Sequence, residues 1–201
     1  MSLTREKIWL STALTDEDVP GALTLYFSLR RVITSHKVAV IVSQKVSKDL
    51  REVLHHVFDY VFLLEEDWNT AGLENNDFAK LFALTFKSFE KIVMLSPNML
   101  VVKNCDELLD KCEDTLQPLA WTETGDTSLL VVRPSLPVFR GLMKGIANRN
   151  GTGVNGFLKT WIINQTPNYY FIPEKYNQRL FSQAGMLLYV LKFHCDFHVV
   201  E

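Results

Sequence analysis

The stretch Lys37-Val-Ala-Val-Ile-Val42 decides the fold class of this chain. After Lys37 it is continuously apolar and rich in β-branched residues, a pattern typical of a strand that is buried on both faces of a parallel sheet. On either side of it, Ile8 to Ala13 and Tyr60 to Leu64 are two more short apolar runs. The three runs predict three strands of one buried sheet.

Helical patterns separate these predicted strands. Thr15 precedes three carboxylates and a segment whose apolar residues recur at helical spacing as far as Ile33, so Thr15 is predicted to cap a helix. Ser47 is predicted to begin a second helix that carries His55 and His56. Adjacent helical residues point to different faces, so these histidines cannot form one metal site and are interpreted as surface or boundary residues. The alternation of strand and helix predicts an α/β protein with a mostly parallel, doubly wound sheet and flanking helices.

The rest of the chain continues this alternation less regularly. Asp77 to Phe89 is predicted to form a helix, and its phenylalanines are expected to pack in the core rather than form an interface. Further strands are predicted at Lys91–Leu95, Leu119–Thr122, Leu129–Val132 and Met186–Phe193, and further helices at Leu136–Ala147 and Val154–Ile163. No linker or internal repeat is found, so residues 1–201 are predicted to form a single domain.

Composition and charge exclude several classes of protein. Hydrophobic residues make up 47% of the 201 residues, which is enough for a sizeable core, and the net charge of −2 lacks the cationic excess of a nucleic-acid-binding surface. The apolar runs are far shorter than the ~18 to 20 residues that span a bilayer, so no membrane association is expected. Three irregularly spaced cysteines and a charged N-terminus predict reduced thiols and a cytoplasmic location.

A ligand of such a sheet is expected at the carboxyl ends of the strands. Thr12 and Ala13 end the first strand, and Ser96-Pro97-Asn98 follows Leu95. Neither a P-loop nor a serine-hydrolase elbow is present. The segment Gly151-Thr-Gly-Val-Asn-Gly156 matches the spelling of a dinucleotide-binding motif, but it follows a predicted helix instead of a strand and is interpreted as a loop.

A series of segments, taken in order, resembles the glycogenin branch of glycosyltransferase family eight. The segments are Leu10–Thr15 with Pro20–Leu23, Val53–Asp59, Phe78–Leu81, Lys91–Leu95, Asn104–Leu108, Val131–Ser135, Asn155-Gly156, Tyr176-Asn177 and Phe193-His194. The resemblance covers nearly the whole chain and implies a nucleotide-diphospho-sugar transferase fold of the GT-A type, shortened near the C-terminus. Members of the family are retaining glucosyltransferases that use a UDP-glucose donor.

The resemblance also implies that the active site is degenerate. In the family, an Asp-x-Asp after the fourth strand binds manganese and the donor pyrophosphate, and here Ser96-Pro97-Asn98 stands in its place. Asp18 replaces a tyrosine that stacks on uracil, which makes binding of a UDP-sugar doubtful. His194 matches the metal-binding histidine and is interpreted as a remnant. Lys80 matches a lysine that contacts the donor, although a solvated helix lysine explains it equally well.

These losses lead to two functional expectations. The first is a catalytically inactive protein, without a cofactor, that acts as a binding or scaffold protein through a homodimer or a protein partner; manganese is expected only if the site is not degenerate. The vestigial nucleotide-sugar positions are Thr12, Ala13, Lys80, Asn98, Asn155 and Gly156. The alternative is an active, metal-independent hexosyltransferase in which Lys80, with Lys45 or Arg133, stabilises the donor diphosphate.

Overall fold

The structure is a computed structural model that describes residues 5–64, 76–110, 119–122, 127–147, 160, 171–172, 176, 178–181 and 187–191. Its strands are β1 Glu6–Ala13, β2 Lys37–Ser43, β3 Tyr60–Leu64, β4 Phe89–Leu95, β5 Met99–Val101, β6 Leu119–Thr122, β7 Leu129–Val132, β8 Phe171–Ile172, β9 Gln178–Phe181 and β10 Leu187–Leu191. Its helices are α1 Val19–Arg31, α2 Lys48–Val57, α3 Asn76–Ala79, α4 Glu107–Asp110 and α5 Leu136–Ala147, with 3-10 segments at Asp16–Asp18 and Lys80–Thr85.

A mixed sheet forms the centre of the fold. In the described residues it has seven strands in the order β3-β2-β1-β4-β7-β6-β8. The first four are parallel, as the sequence predicts, whereas β7 runs antiparallel to both β4 and β6. A second, three-stranded sheet has the order β5-β10-β9. The fold class predicted from the sequence is confirmed, with an antiparallel strand inserted next to β4.

Alternate residues of the central strands pack on opposite faces of the sheet. On β2, Val38, Val40 and Val42 join a core cluster that includes α1, α2 and α4, while Ala39 and Ile41 join a second cluster with α5 and the Lys80–Thr85 segment. All five side chains are buried. Side chains on neighbouring strand residues point in opposite directions, so continuous apolar sequence is what a strand covered on both faces requires.

The first helix begins later than the capping pattern predicts. Thr15 precedes the 3-10 segment Asp16–Asp18, and α1 itself starts at Val19 with Pro20 in its first turn. Proline suits this turn because its missing N–H would have no helical partner there. The prediction for Ser47 is confirmed, since α2 begins directly after it, and the Ser47 N–H donates to Asp16 Oδ1 at 2.6 Å. His55 and His56 are exposed, as expected.

The predicted helix from Asp77 to Phe89 is wrong at its C-terminal end. Only Asn76–Ala79 is α-helical; Lys80–Thr85 is a 3-10 segment, and Phe89 already belongs to β4, where it pairs with Glu6 of β1. Phe82 and Phe89 are both buried, and a buried ring is compatible with a helix as well as with a strand. The secondary structure at Phe89 is therefore decided by its pairing with β1. Their burial confirms that these aromatics belong to the core.

Three short strands, β5, β8 and β9, are absent from the sequence predictions. β5 and β8 have only three and two residues, too few to show a period, and β9 begins with Gln178 and Arg179 and so lacks the continuous apolar sequence that predicted β7. Most of the predicted helix Val154–Ile163 lies outside the described residues, and Thr160 within it is helical. In the part of the chain that the structure describes, no helix has the length and apolarity needed to cross a bilayer.

Candidate functional site

The candidate site lies where β1 and β4 end side by side. The two strands are parallel neighbours, with Leu10 opposite Met94. Thr12 and Ala13, the last residues of β1, therefore lie next to the chain that continues from β4 into Ser96. The Ser11 hydroxyl ties the two strand ends together by donating to the Leu95 carbonyl at 2.9 Å. The topology therefore brings the strand-end residues singled out from the sequence to one edge of the sheet.

Lys80 contributes a buried cation to this edge. Its side chain is only 3% exposed, and its Nζ donates to Ser96 Oγ at 2.8 Å and to the Thr127 carbonyl at 3.1 Å. The lysine reaches inward because its 3-10 segment packs against the same sheet face as α5. The interpretation of Lys80 as a solvated helix lysine is therefore wrong.

The third component of the edge is the approach to β7. The Ser96 N–H donates to the Ser128 carbonyl at 2.9 Å, and Thr127 and Ser128 are both buried. Because β7 is antiparallel to β4, with Leu129 opposite Leu95 and Val132 opposite Ile92, the residues before β7 meet the end of β4. The family resemblance aligns Asp126-Thr127-Ser128 with a segment that helps to place the donor sugar. It gives no signal for the contact observed here, because the Thr127 group that accepts from Lys80 is a backbone carbonyl.

The same antiparallel pairing removes Arg133 from the candidate site. Arg133 follows Val132, which lies opposite Ile92 near the amino end of β4, so the chain carries it to the other edge of the sheet. Lys45 follows β2 at the carboxyl edge, where its side chain is exposed. Of the three cations considered from the sequence, Lys80 is the one that contacts the residue after β4.

Thr12 places a buried hydroxyl at the end of β1. The residue has no exposed surface, and its Oγ1 has no hydrogen-bond partner in the structure described. An unpaired buried hydroxyl costs roughly 1–3 kcal/mol, so this atom would gain from a ligand or a water molecule at the strand end. Ala13, the next residue, is fully buried and offers no polar side-chain atom.

Asp18 closes the loop between β1 and α1. Its Oδ2 accepts the backbone N–H of Leu14 at 2.9 Å and that of Thr15 at 3.1 Å. Without this carboxylate, the two N–H groups would be donors in need of another acceptor. Asp18 therefore occupies two backbone donors of the loop, and its negative charge disfavours the binding of a phosphate there.

The Ser96–Asn98 turn packs directly against the start of α1. A Cβ built on Gly21 would lie 2.6 Å from the Pro97 carbonyl oxygen and 3.2 Å from its carbonyl carbon. Both are backbone atoms, so a larger residue would force the helix and the turn apart. Gly21 thus sets the position of the turn that follows β4.

The donor set after β4 does not fit a manganese ion. A hard divalent cation prefers several oxygen ligands with negative charge, whereas Ser96 supplies a neutral hydroxyl that already accepts from an ammonium and Asn98 supplies an exposed amide. Among the described residues, no group of three or more His, Cys, Asp and Glu side chains is placed to hold a metal. Asn155, Gly156 and His194, which complete the predicted set, lie outside the described residues, as does Asp126.

Comparison with known sequences identifies glycogenins. The chain is 26% identical over 185 residues to glycogenin-1 of Caenorhabditis elegans, covering 84% of this chain and 43% of that protein. It is 28% identical over 188 residues to human glycogenin-2, covering 86% of this chain and 37% of that protein. The chain therefore spans less than half the length of these relatives. No protein-family model matches it.

Comparison with solved structures identifies sugar transferases. Apo mouse xyloside xylosyltransferase 1 superposes with a TM-score of 0.57 at 11% identity, over 90% of this chain and 89% of that one. The apo glycosyltransferase GlyE of Streptococcus pneumoniae gives a TM-score of 0.57 at 12% identity, over 86% of this chain and 46% of that one. At these identities the structural likeness establishes the fold, and the sequence similarity points to glycogenins: the chain has the nucleotide-diphospho-sugar glycosyltransferase fold and is glycogenin-like in sequence.

Proposed function

We propose that this chain is a pseudoenzyme of glycosyltransferase family eight, a glycogenin-like protein that does not catalyse manganese-dependent sugar transfer and acts as a binding or scaffold protein. Its nucleotide-sugar positions, Thr12, Ala13, Lys80, Asn98, Asn155 and Gly156, are vestigial in this proposal. Its partner is a second protein or a second copy of the chain.

The contact between Lys80 and Ser96 carries this proposal. The turn after β4 offers no carboxylate. Its Ser96 hydroxyl accepts a hydrogen bond from the ammonium of Lys80 at 2.8 Å. Two unit positive charges about 4 Å apart repel by about 4 kcal/mol at an effective dielectric constant of about 20. A divalent cation at Ser96 would meet this repulsion without carboxylates from the turn to offset it.

Loss of the metal removes the main source of catalysis expected for this fold. A divalent ion stabilises the departing diphosphate, and each ~1.4 kcal/mol of transition-state stabilisation changes the rate tenfold. A site that cannot hold the ion therefore transfers sugar orders of magnitude more slowly. The fold itself does not depend on the ion, since the two core clusters enclose the sheet from both faces.

The test is a calorimetric titration of the purified chain with UDP and with UDP-glucose, each with and without Mn²⁺, followed by a transfer assay with radiolabelled UDP-glucose. The expected result is no metal-dependent heat and no transfer above the protein-free background. An active glycogenin, run in parallel, is the positive control. Micromolar binding that requires Mn²⁺, together with sugar transfer, would overturn the proposal.

The second candidate is a metal-independent hexosyltransferase, and the buried ammonium of Lys80 favours it. A fixed cation in a partly dry site can stabilise a departing diphosphate without a metal. In that case a nucleotide sugar should raise the melting temperature in the presence of EDTA, because a ligand that binds only the folded state stabilises it. Lys80→Met should abolish the shift, whereas Lys87→Met, at an exposed position before the amino end of β4, should retain it.

We also propose a cytoplasmic location. The thiol of Cys105 supports it, because the residue is a free cysteine in the described structure and reducing compartments keep cysteines free.

A further inference from the structure

A groove lies between α1 and the segment that follows β5, apart from the candidate site. It has a volume of about 760 Å³ and shares no lining residue with the strand ends of β1 and β4. Its principal lining side chains are Phe27, Arg31, Val32, Leu100, Val102 and Lys103. The groove is open along one side of α1, and its floor is formed by the buried residues Ser28 and Val101, joined by a 3.0 Å hydrogen bond from the Val101 N–H to Ser28 Oγ.

The groove exposes large apolar side chains. Phe27 is 58% exposed and Val102 is 49% exposed, while most large apolar residues of the described sheet and helices are buried. The ring of Phe27 is held by an edge-to-face contact with Tyr26, at 5.3 Å between ring centroids. A rigid exposed ring beside an apolar wall is typical of the centre of a protein-binding surface.

Two cations stand at the rim of this apolar surface. Arg31 and Lys103 both line the groove and are exposed, and no salt bridge involves either in the structure described. Among the lining residues that the structure describes, none carries a carboxylate. The nearby Asp106 accepts hydrogen bonds from the Thr34 hydroxyl and from the N–H and hydroxyl of Ser35. Its carboxylate oxygens are therefore bonded to the turn after α1.

We infer that this groove binds a segment of a partner protein that carries an apolar or aromatic side chain flanked by carboxylates. The anchor packs between Phe27 and Val102, and the carboxylates pair with Arg31 and Lys103. Charge complementarity favours this chemistry over a basic or neutral segment, since a basic segment would place like charges together. The inference does not depend on whether the candidate site is catalytic, because the two sites have no residue in common.

The test starts from an unbiased probe, a phage-displayed library of random peptides selected on the immobilised full chain. The same library is selected in parallel on Arg31→Glu/Lys103→Glu and on a matched control, Arg140→Glu/Lys144→Glu. The control pair is also exposed and makes the same change in net charge, but it lies on α5 across the sheet. Circular dichroism and melting curves establish that all three proteins are folded.

The expected result is enrichment of acidic peptides with an aromatic or large aliphatic residue on the wild-type chain and on the α5 control, and loss of that enrichment on the groove variant. No enrichment over the groove variant, or enrichment of basic or uncharged peptides, would overturn the inference. So would equal enrichment on the wild type and on Arg31→Glu/Lys103→Glu.

A synthetic peptide from the enriched set gives the quantitative test. Its Kd, measured by fluorescence anisotropy, should rise at least about tenfold for Arg31→Glu/Lys103→Glu and for Phe27→Ser, and should rise with NaCl because exposed ion pairs are screened. The α5 control, Arg140→Glu/Lys144→Glu, should leave the Kd unchanged. An unchanged Kd in Phe27→Ser, or a Kd that rises equally in the α5 control, would place the peptide elsewhere and contradict the inference.

Discussion

Lys80 Nζ lies 2.8 Å from Ser96 Oγ, and this contact joins the 3-10 segment after α3 to the turn after β4. Both residues are buried, so the hydrogen bond is shielded from water and its loss is costly. The contact places a positive charge at the turn after β4, beside the end of β1. Its energetics can be measured without knowledge of any ligand.

A double-mutant cycle isolates this contact. Lys80→Met leaves Ser96 Oγ and the Thr127 carbonyl without this donor, and Ser96→Ala removes one acceptor of the ammonium, so each change should destabilise the chain by about 1–3 kcal/mol. The coupling free energy in urea unfolding is expected to be about 1–3 kcal/mol. As a control, Lys80→Met combined with Thr24→Ala, on the exposed side of α1, should be additive within ~0.5 kcal/mol. Additivity of the first pair would show that the contact contributes no stability.

The unpartnered hydroxyl of Thr12 predicts a stabilising substitution. Thr12→Val keeps the shape of the side chain and removes a polar atom that is fully buried without a hydrogen bond. The melting temperature should rise by a few degrees, since 1 kcal/mol shifts Tm by about 2–4 °C in a chain of this size. Ser11→Ala, at the neighbouring residue whose hydroxyl is bonded to Leu95, should instead lower Tm. A lower Tm in Thr12→Val would indicate that the hydroxyl holds a bound water or ligand.

Gly21 allows α1 to approach the turn after β4. In Gly21→Ala the new Cβ would lie 2.6 Å from the Pro97 carbonyl oxygen, and relief requires backbone movement. Overpacking of this kind typically costs about 1–3 kcal/mol, so the urea midpoint should fall accordingly. Pro20→Ala, one residue earlier at an exposed position, is the control and should change stability much less. Wild-type stability in Gly21→Ala would mean that the turn can shift without cost.

Ile33 is strained by its backbone conformation. Its φ of 57° lies in the left-handed region, which a β-branched residue disfavours by roughly 1–2 kcal/mol, and its side chain is 83% exposed and contributes little packing. Ile33→Asn should raise the urea midpoint at constant m-value, by about 0.5–1.5 kcal/mol, because asparagine tolerates this region. Removal of an exposed apolar side chain elsewhere, as in Val102→Asn, should bring no such gain. A midpoint that falls in Ile33→Asn would contradict the strain.

Asp106 makes the turn after α1 sensitive to acid. Burial opposes ionisation of this carboxyl, but the backbone N–H of Ser35 and the hydroxyls of Thr34 and Ser35 outweigh it and hold its pKa below the ordinary value. A pKa lower in the folded than in the unfolded state stabilises the fold above the unfolded value of about 3.9. That contribution is lost as the pH falls through the folded pKa.

The measurement is urea unfolding of the wild type and of Asp106→Asn between pH 7 and pH 2. At pH 7 the variant should be less stable by about 1–3 kcal/mol, because bonds to a charged acceptor are lost. The difference should shrink below about pH 4 as the wild-type carboxyl becomes protonated. Asp49→Asn, in the exposed first turn of α2, should show no comparable change with pH. A constant gap between wild type and Asp106→Asn at all pH values would contradict the linkage.

The strands and helices of the first half of the chain could be predicted because their signals are local. Val38 to Val42 is apolar at every position, on both faces of the strand. The acidic segment Asp16–Asp18 and Ser47 stand directly before α1 and α2. The same local patterns failed at Phe89, where a helical period and a strand both place the ring in the core and only pairing with Glu6 distinguishes them. Motif comparison could likewise single out Ser96 and Lys80 in the sequence, but it could not predict the hydrogen bond between them.

The sequence by itself determined the alternation of buried strands and amphipathic helices, and the absence of carboxylates from the turn Ser96-Pro97-Asn98. The hydrophobic period depends on residues that are close in the chain, and residue type is given directly by the sequence, so both are known without the tertiary structure. Only the tertiary structure decided that Lys80 is buried on Ser96, that β7 carries Arg133 to the far edge of the sheet, and that Phe27 and Val102 share a groove with two cations. Each of these features depends on segments that are distant in sequence. The distances between such segments are set only by strand direction and by packing against the sheet.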